Sequence, residues 1–452
     1  MRRYVIKLFT AIISFLAKRL ILSKTPFVIG VTGSIWKTTC RNIIFQTIEH
    51  AMPDVISYTP SKNYNNEIGL CLGIFRIDDY KPTIFGRFRV ISIAIKRLFS
   101  KKKYDILVLE YGIDAPGDMD FLLDICTPDI GIITKIDLVH SMNFQNKREN
   151  IFLEKSKLIS KSKSTVFLNI DDNFITTEYL DSITIDKILY SNLPDRWDIY
   201  YNDFKLYKND NNNLFSETNI NIWDKLTHLS TNLINDFMLW YVTIGMTIID
   251  IYNHRHWRKA FMDPKLIINY RLEPWRFNLI PFEKGIIIDS TYNASPQSVL
   301  TTIDNSFNIK NKFYPEAKII FILGEMRELW SNSEQSHRVI ADNLIWHSDL
   351  YAVIRVSKDA KYAYHYIQGK AKWYKNYFVD NAIDVEHVLG DIVGSFQDDQ
   401  KFIIIFKSSQ GEIFLEEAIK PWIDRKYYNT LPRQDTFWAK KKRQLGKYYI
   451  MQ

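Results

Sequence analysis

The sequence predicts an α/β protein with mostly parallel sheets, and three observations point there. Apolar runs short enough to be buried strands alternate with helical patterns, which requires crossover connections. The first such run enters a glycine-containing turn that ends Lys-Thr-Thr and opens a helix, the setting of a phosphate-binding loop. The chain has 452 residues, 46% hydrophobic and 24% charged, enough for two or three domains with their own cores. That balance excludes a disordered chain, a collagen and a polytopic membrane protein. Three cysteines, Cys40, Cys71 and Cys126, exclude a disulfide scaffold and fit a reducing cytoplasm.

Residues 2–24 form a basic amphipathic segment. Its uncharged run, Leu8 to Ala17, is 10 residues, too short to span a bilayer. No small-residue cleavage site follows, which speaks against a signal peptide. The expected reading is a helix docked on the protein's own core. A helix lying on a membrane surface is the alternative, since Lys and Arg flank an Ile/Phe/Leu face.

From Phe27 the strand FVIGV leads into a helix from Lys37 to His50. Buried strands follow at Asp105–Gly112, Asp129–Thr134 and Ser164–Asn169. Residues 200–226 are Asn/Asp-rich and weakly patterned, and read as a loop or small hairpin insertion. Thr231 to Tyr252 reads as an apolar helix, and PKLIINYRLEP as a connection between domains. A second α/β unit starts at Gly285–Ser290 and continues through Ala317–Glu325, Leu350–Val356 and Lys401–Lys407. The runs KRLFSKKK and AKKKRQLGK read as solvated faces, and no recognition module accompanies them, so no nucleic-acid partner is expected.

The loop Gly30-Val-Thr32-Gly33-Ser34-Ile-Trp36-Lys37-Thr38-Thr39 has parts with distinct tasks. Backbone amides at the helix start hold phosphates. Lys37 reaches the β/γ-phosphates, and the Thr38 hydroxyl suits Mg²⁺, a hard cation that takes oxygen ligands. One element departs from the pattern. Glycine is expected before the lysine, where the backbone approaches the phosphates and φ is often positive, but Trp36 stands there.

GVTGSxxKTT resembles the nucleotide loop of the Mur ligase family, the ATP-dependent ligases of peptidoglycan precursor synthesis. Further segments match in order. SKNYNNEIGL resembles the NNEIG segment of the D-Ala-D-Ala-adding branch. LEYGIDAPGDMDFLLDICTPDIGIIT, VHSMNF, EKSKLI and VFLNIDD resemble the blocks that follow it. YRLEP, IIIDSTYNASP, ILGEMRELW and FKSSQG resemble those of the C-terminal domain. The likeness covers roughly residues 27–440. It implies a P-loop central ATP-binding domain with a mostly parallel sheet over 27–265 and a Rossmann-like α/β domain over 266–452, after an N-terminal helix over 1–26.

The resemblance also implies roles. ATP would be held by Thr32, Gly33, Ser34, Trp36, Lys37, Thr38 and Thr39, with Asn235 on adenine, Arg271 directed at the phosphates and Asn293 in the C-terminal domain. Two Mg²⁺ ions would be bound by Thr38, Glu110, His140 and Lys155, the last as a carbamate, because an amine cannot bind Mg²⁺ but a carbamate oxygen can. Lys37, Lys155 and His140 are the implied catalytic residues. The other reading of Lys155 is an exposed helix lysine, and that of Asn235 is capping or packing. Lys157 stands where the family often has Glu, Ser290 where an aspartate commonly holds the ribose, and Ser408 where Gly is usual. Asp289 and Tyr292 flank that ribose position, and Lys407 and Ser409 match a basic segment associated with the incoming amino substrate.

The implied reaction joins a carboxylate to an amine through an acyl phosphate and releases ADP. Its demand is charge neutralisation and in-line placement rather than a protein nucleophile. Expected partners are ATP, a UDP-sugar peptide and a D-amino-acid dipeptide, for a cytoplasmic monomer. Family members carry a whole domain before the loop to grip the UDP-sugar. Here roughly 26 residues precede it, so the expectation is a differently held substrate, a helper protein or a different acid. A sister ligase with other substrates, such as a polyglutamate-adding enzyme, and a catalytically impaired nucleotide-fold binding protein remain alternatives.

Composition bears on the last of these. The chain has 16 Gly and 11 Trp, and its glycine share is about half the usual roughly 7%. Trp36 and Trp330 stand at family glycine positions, and Trp275 follows Pro274 in a turn-like stretch. Some bacteria read the codon UGA as Gly where common tables write Trp. The expectation is that several of these tryptophans are Gly in the native protein.

Overall fold

The computed structural model describes residues 2–101, 104–137, 141–145, 147–191, 198–209, 213–259, 263–272, 276–327, 329, 332–368, 370, 373–409 and 413–444. The chain folds as two compact units. One comprises Met1–Ile136 and Asn143–Arg271, the other Asp137–Met142 and Leu272–Gln452.

The first unit runs α1 (Arg2–Lys24), β1 (Phe27–Thr32), α2 (Lys37–Ala51), β2 (Ser57–Tyr58), α3 (Glu67–Ile74), α4 (Ile84–Phe99), β3 (Ile106–Glu110), α5 (Asp118–Ile125), β4 (Ile130–Ile133), α6 (Arg148–Lys161), β5 (Thr165–Asn169), α7 (Thr177–Ser182) and β6 (Asp186–Tyr190). Its main sheet is wholly parallel in the order β2-β3-β1-β4-β5-β6. β1 and β3 are buried along their whole length, as unbroken apolar runs in a parallel sheet should be. β1 has β3 on one side and β4 on the other, so the strand order reverses there. Ligands of open α/β sheets bind at the carboxyl ends beside such a reversal.

Residues 198–231 are a correction to the sequence reading. They form an antiparallel meander, β7 (Ile199–Lys208), β8 (Leu214–Ile222) and β9 (Lys225–Thr231), completed by β10 (Lys265–Ile268) parallel to β9. The alternation in β8 is regular, but its buried side is Ser216, Thr218, Ile220 and Ile222. Two small polar residues on the inward face hid the period. The apolar helix, α8 (Phe237–Arg255), begins six residues later than expected, because Thr231 belongs to β9. Part of the expected connection is the strand β10.

The second unit runs β11 (Asn278–Phe282), β12 (Gly285–Ser290), α9 (Pro296–Phe313), β13 (Lys318–Leu323), α10 (Ser333–Ile345), β14 (Leu350–Val356), α11 (Lys361–Ile367), β15 (Lys375–Val379), α12 (Ala382–Gly394) and β16 (Phe402–Lys407). Two 3₁₀ segments and α13 (Thr436–Gln444) follow. The sheet order is β11-β12-β16-β13-β14-β15, parallel except for β11. β12, β13 and β16 end side by side, Ser290 opposite Lys407 and Leu323 opposite Lys407.

Candidate functional site

In the first unit the loop after β1 is shaped by two left-handed residues. Gly33 has φ +145°, and a Cβ there would stand 1.9 Å from Thr134 Oγ1, so only glycine fits. Ser34 and Ile35 donate their amides to the Lys135 carbonyl at 2.7 and 3.4 Å. Thr134 Oγ1 donates to the Ile35 carbonyl at 2.7 Å. Thr32 Oγ1 donates to the Tyr111 carbonyl, 2.8 Å. Trp36 then turns the chain into α2 with φ 63° and ψ 8°, a conformation that costs an L-residue about 1–2 kcal/mol. Its indole stacks on Phe237 with 4.4 Å between centroids. The first rung of α2 is Cys40 N–H to the Trp36 carbonyl, 2.8 Å. The amides of Lys37, Thr38 and Thr39 therefore precede the helix ladder, at the positive end of its dipole.

Glu110 ends β3 beside this helix start and is buried. Thr38 Oγ1 donates to its Oε2 at 2.9 Å, and Asn65 Nδ2 to its Oε1 at 3.1 Å. The wholly buried Arg41 lies 3.7 Å from Oε2. Burial pushes the Glu110 carboxyl up, but Lys37, Arg41 and the two hydrogen bonds outweigh it and hold it below the usual range. It is thus an ionised carboxylate touching a hydroxyl, two hard oxygen donors of the kind Mg²⁺ takes. Among the described residues no group of three or more His, Cys, Asp or Glu gathers as a metal cage. His140 lies outside the described residues.

Lys155 sits on the inward face of α6 and is buried, not exposed. Burial, and next the Lys37 charge, push its amine well below the usual lysine range, against the pull of Glu110, Asp114 and Glu154. Its neighbours serve the scaffold. Glu154 Oε1 accepts from the amides of Gly117 and Met119, both 3.0 Å, and so caps α5. Lys157 bridges Glu154 and Asp120 at 2.7 and 2.6 Å, which gives the lysine found in place of Glu a structural task.

Asn235 lies just ahead of α8, buried, and its Oδ1 has no hydrogen-bond partner. Arg271 is placed elsewhere. Its side chain is 82% exposed and pairs with Glu49 at 3.0 Å, while its backbone exchanges hydrogen bonds with Gln46. Glu49 is 12 residues beyond Lys37 on α2, about 18 Å along the helix.

In the second unit three sequence motifs meet at the strand ends. Lys407 Nζ donates to Ser290 Oγ at 3.1 Å and to the Asn293 carbonyl at 2.9 Å. Ser409 Oγ donates to the Ala294 carbonyl and accepts from the Arg327 amide, both 2.9 Å. Asn293 Oδ1 accepts from the next amide, that of Ala294. Ser408 is buried against Gly324, where a Cβ would stand 2.4 Å from Ser408 Oγ. The serine is accommodated because its neighbour has no side chain. Asp289 Oδ1 accepts from the Thr291 amide and hydroxyl. Burial raises the Asp289 carboxyl to about 7 and lowers the Lys407 amine to about 7. Trp275 and Trp330 lie outside the described residues.

The sequence reading missed two arginines. Arg41, three residues after Thr38, was hidden in the apolar face of α2. Arg433 grips Glu416 at 2.8 and 2.6 Å and donates to the Thr291 and Tyr292 carbonyls at 2.8 and 3.3 Å. It thereby positions the loop after β12. Nothing in its local sequence, LPRQD, signals this, because its partners are 17 and 142 residues away.

The chain is similar to known ligases over most of its length. The Mur ligase middle domain matches residues 31–239. The UDP-N-acetylmuramoyl-tripeptide--D-alanyl-D-alanine ligase of Rickettsia prowazekii is 24% identical over 402 residues, 86% of this chain and 76% of that protein. A dihydrofolate synthase/folylpolyglutamate synthase of Buchnera aphidicola is 28% identical over 174 residues, only 35% of this chain and 40% of that protein. The MurF ligase from Thermotoga maritima in complex with ADP shares the fold, with a TM-score of 0.66 at 21% identity over 91% of this chain and 82% of that one.

Proposed function

The chain belongs to the Mur ligase family, and from that premise we propose that it is an ATP-dependent, ADP-forming ligase that adds D-alanyl-D-alanine to UDP-N-acetylmuramoyl-tripeptide. One observation carries the chemistry. Lys37, Thr38, the ionised Glu110 and the buried Lys155 interact at the carboxyl edge of the sheet, where its strand order reverses. The polyglutamate-adding alternative is weaker, because the relative of that kind matches about a third of the chain.

The residues fit the groups the reaction needs. The orphan Asn235 Oδ1 is an acceptor for the exocyclic amine of adenine. Lys37 and the amides opening α2 take the phosphates. Thr38 and Glu110 supply oxygen to Mg²⁺, which when bound neutralises phosphate charge. Burial favours the neutral form of the Lys155 amine, and it is that form whose lone pair attacks CO₂. Its nitrogen bonds the carbon, one N–H proton leaves to solvent, and the carbamate oxygens become a further anionic donor. The substrate carboxylate displaces ADP from the γ-phosphorus, giving the acyl phosphate. The dipeptide amine then attacks the acyl carbon, phosphate leaves with the bonding pair, and the amine loses its proton. Lys407 and Ser409, held by Ser290, Asn293 and Ala294, are assigned to the incoming dipeptide.

The test is ADP release by the purified protein and its Trp36→Gly variant with UDP-MurNAc-tripeptide and D-Ala-D-Ala. Release that requires both substrates supports the assignment. Release indifferent to either one rejects it.

A further inference from the structure

The first two long surface helices carry more apolar side chain than the core takes up. α1 buries Phe9, Ile13, Ala17 and Leu20, an i, i+4, i+8, i+11 stripe. Its opposite side presents Tyr4, Leu8, Phe15 and Leu22 to solvent, with Tyr4 80% exposed. Those positions are spaced 4, 7 and 7 residues apart, so they form one outward stripe. α4 repeats the arrangement. Only Val90 and Ala94 are buried, while Phe85, Phe88, Ile95 and Phe99 line the outward side. Phe85 is 86% exposed and Phe99 81%.

The two helices lie side by side and run parallel. Arg87 near the start of α4 sits 5.9 Å over the Phe9 ring, and Lys24 at the end of α1 donates to the Ser100 carbonyl just past α4. Their charges have one sign. α1 contains Lys7, Lys18, Arg19 and Lys24, and α4 contains Arg87, Arg89, Lys96 and Arg97, with no acidic residue in either. Two acids of other segments reach them: Asp124 pairs with Lys18 and Asp79 with Arg89. Both are exposed pairs, which contribute little. Among the described residues no helix is long and apolar enough to cross a membrane.

We propose that α1 and α4 together form a docking face for an anionic lipid bilayer, on which the protein lies without spanning it. Aromatic and aliphatic residues projecting from a basic helical surface match the interfacial mode of binding. The charge selects the occupant, because the cytoplasmic leaflet is negative and attracts clustered Lys and Arg. The docking face does not depend on the ligase assignment, since none of its residues belongs to the nucleotide site.

The experiment is co-sedimentation of the full chain with vesicles of phosphatidylglycerol and phosphatidylcholine, against vesicles of phosphatidylcholine alone. Binding to the anionic vesicles that weakens with salt is expected. Phe85→Ser with Phe88→Ser and Phe99→Ser should abolish it while leaving the thermal transition in place. Arg89→Glu with Lys96→Glu should weaken it roughly 25-fold or more, taking about five-fold for each basic residue near the surface. Equal affinity for neutral vesicles, or no vesicle binding, would overturn the proposal. So would light scattering that shows a dimer dissolved by the Phe variant without any vesicle binding, which would make the face a contact between copies.

Discussion

Replacing Trp257 by Gly is expected to stabilise the protein, although it deletes the largest of side chains. Trp257 follows the C-cap of α8 with φ 53°. Its amide donates to the His254 carbonyl at 3.3 Å, and the next amide, of Arg258, to the Asn253 carbonyl at 2.8 Å. That pair of bonds is the Schellman ending, whose left-handed position is ordinarily Gly. The indole is 96% exposed, so removing it loses almost no packing. Trp223 is similar. With Asp224 it makes a two-residue turn between β8 and β9, at φ 47° and 64°, and turns with two positive φ values favour Gly. Relieving a left-handed L-residue returns about 1–2 kcal/mol, offset in part by the greater chain entropy of Gly. A net gain of about 1 kcal/mol at Trp257 raises Tm by about 2–4 °C in a domain of this size. At Trp223 the lost packing offsets the relief, so the Trp223→Gly/Trp257→Gly pair should stay at or above the parent in thermal unfolding. Trp240→Gly is the control. That ring is buried against Tyr190 and Tyr201, and its loss should cost about 3–5 kcal/mol. Trp36→Gly is read by ATP titration instead, because it also loses the stack on Phe237, worth about 0.5–1.5 kcal/mol. ATP should bind more tightly to Trp36→Gly than to the parent. A fall in Tm for the Trp223/Trp257 pair comparable to Trp240→Gly would refute the reasoning, as would UGG at codons 36, 223 and 257.

Four further outcomes are expected. Glu110→Gln should lower ADP formation by about 100-fold or more and also lower Tm, since the buried Arg41 loses its countercharge and one of the two donors, Thr38 or Asn65, loses its acceptor. Lys155→Met should abolish turnover yet hold or raise Tm, because it removes a buried amine whose charge the site disfavours; a large drop in Tm would instead assign Lys155 to structure. Arg433→Met should destabilise by up to about 3–5 kcal/mol, because it breaks a buried ion pair and leaves Lys442, 3.0 Å away, as the charged partner of Glu416, measured by denaturant unfolding. Asp289, raised to about 7, binds its proton more tightly folded than unfolded. Its contribution is therefore complete below about pH 4 and is lost as pH rises through 7, and Asp289→Asn should flatten that part of the stability profile.

What was legible in the sequence was what one residue's neighbours announce. β1, β3, β12, β13 and β16 are buried on both faces, so each appears as an unbroken apolar run. Thr38 and Glu110 were found because each sits at a strand or helix end within a recognisable block, and they hydrogen-bond one another. The meander of β7, β8 and β9 was not legible, since Ser216 and Thr218 fill its inward positions. α1 was half legible: one stripe docks on the core as expected, but the second becomes meaningful only when α4 lies beside it. Arg433 was illegible, because its partners come from remote loops. Arg271 shows the reverse case, a motif residue whose guanidinium is held at the far end of α2 by Glu49.

The departures from the family pattern separate two explanations. Loss of catalysis would gather substitutions at the site and leave remote turns untouched. Of the departures at the second unit, Ser290 accepts a hydrogen bond from Lys407 and Ser408 packs where Gly324 leaves room, so neither disables its loop. Of the described departures from the family motifs, Trp36 is the one in conflict with its backbone. It shares that conflict with Trp223 and Trp257, which lie in no motif. Three of the eight described tryptophans thus have positive φ, against nine of all other described non-glycine residues, where a few per cent is usual. The anomaly follows the residue type and the demand for glycine, not the distance from the nucleotide loop. A decoding difference produces that distribution and decay of an active site does not, so UGA is the expected codon at positions 36, 223 and 257, and reading the gene is the check.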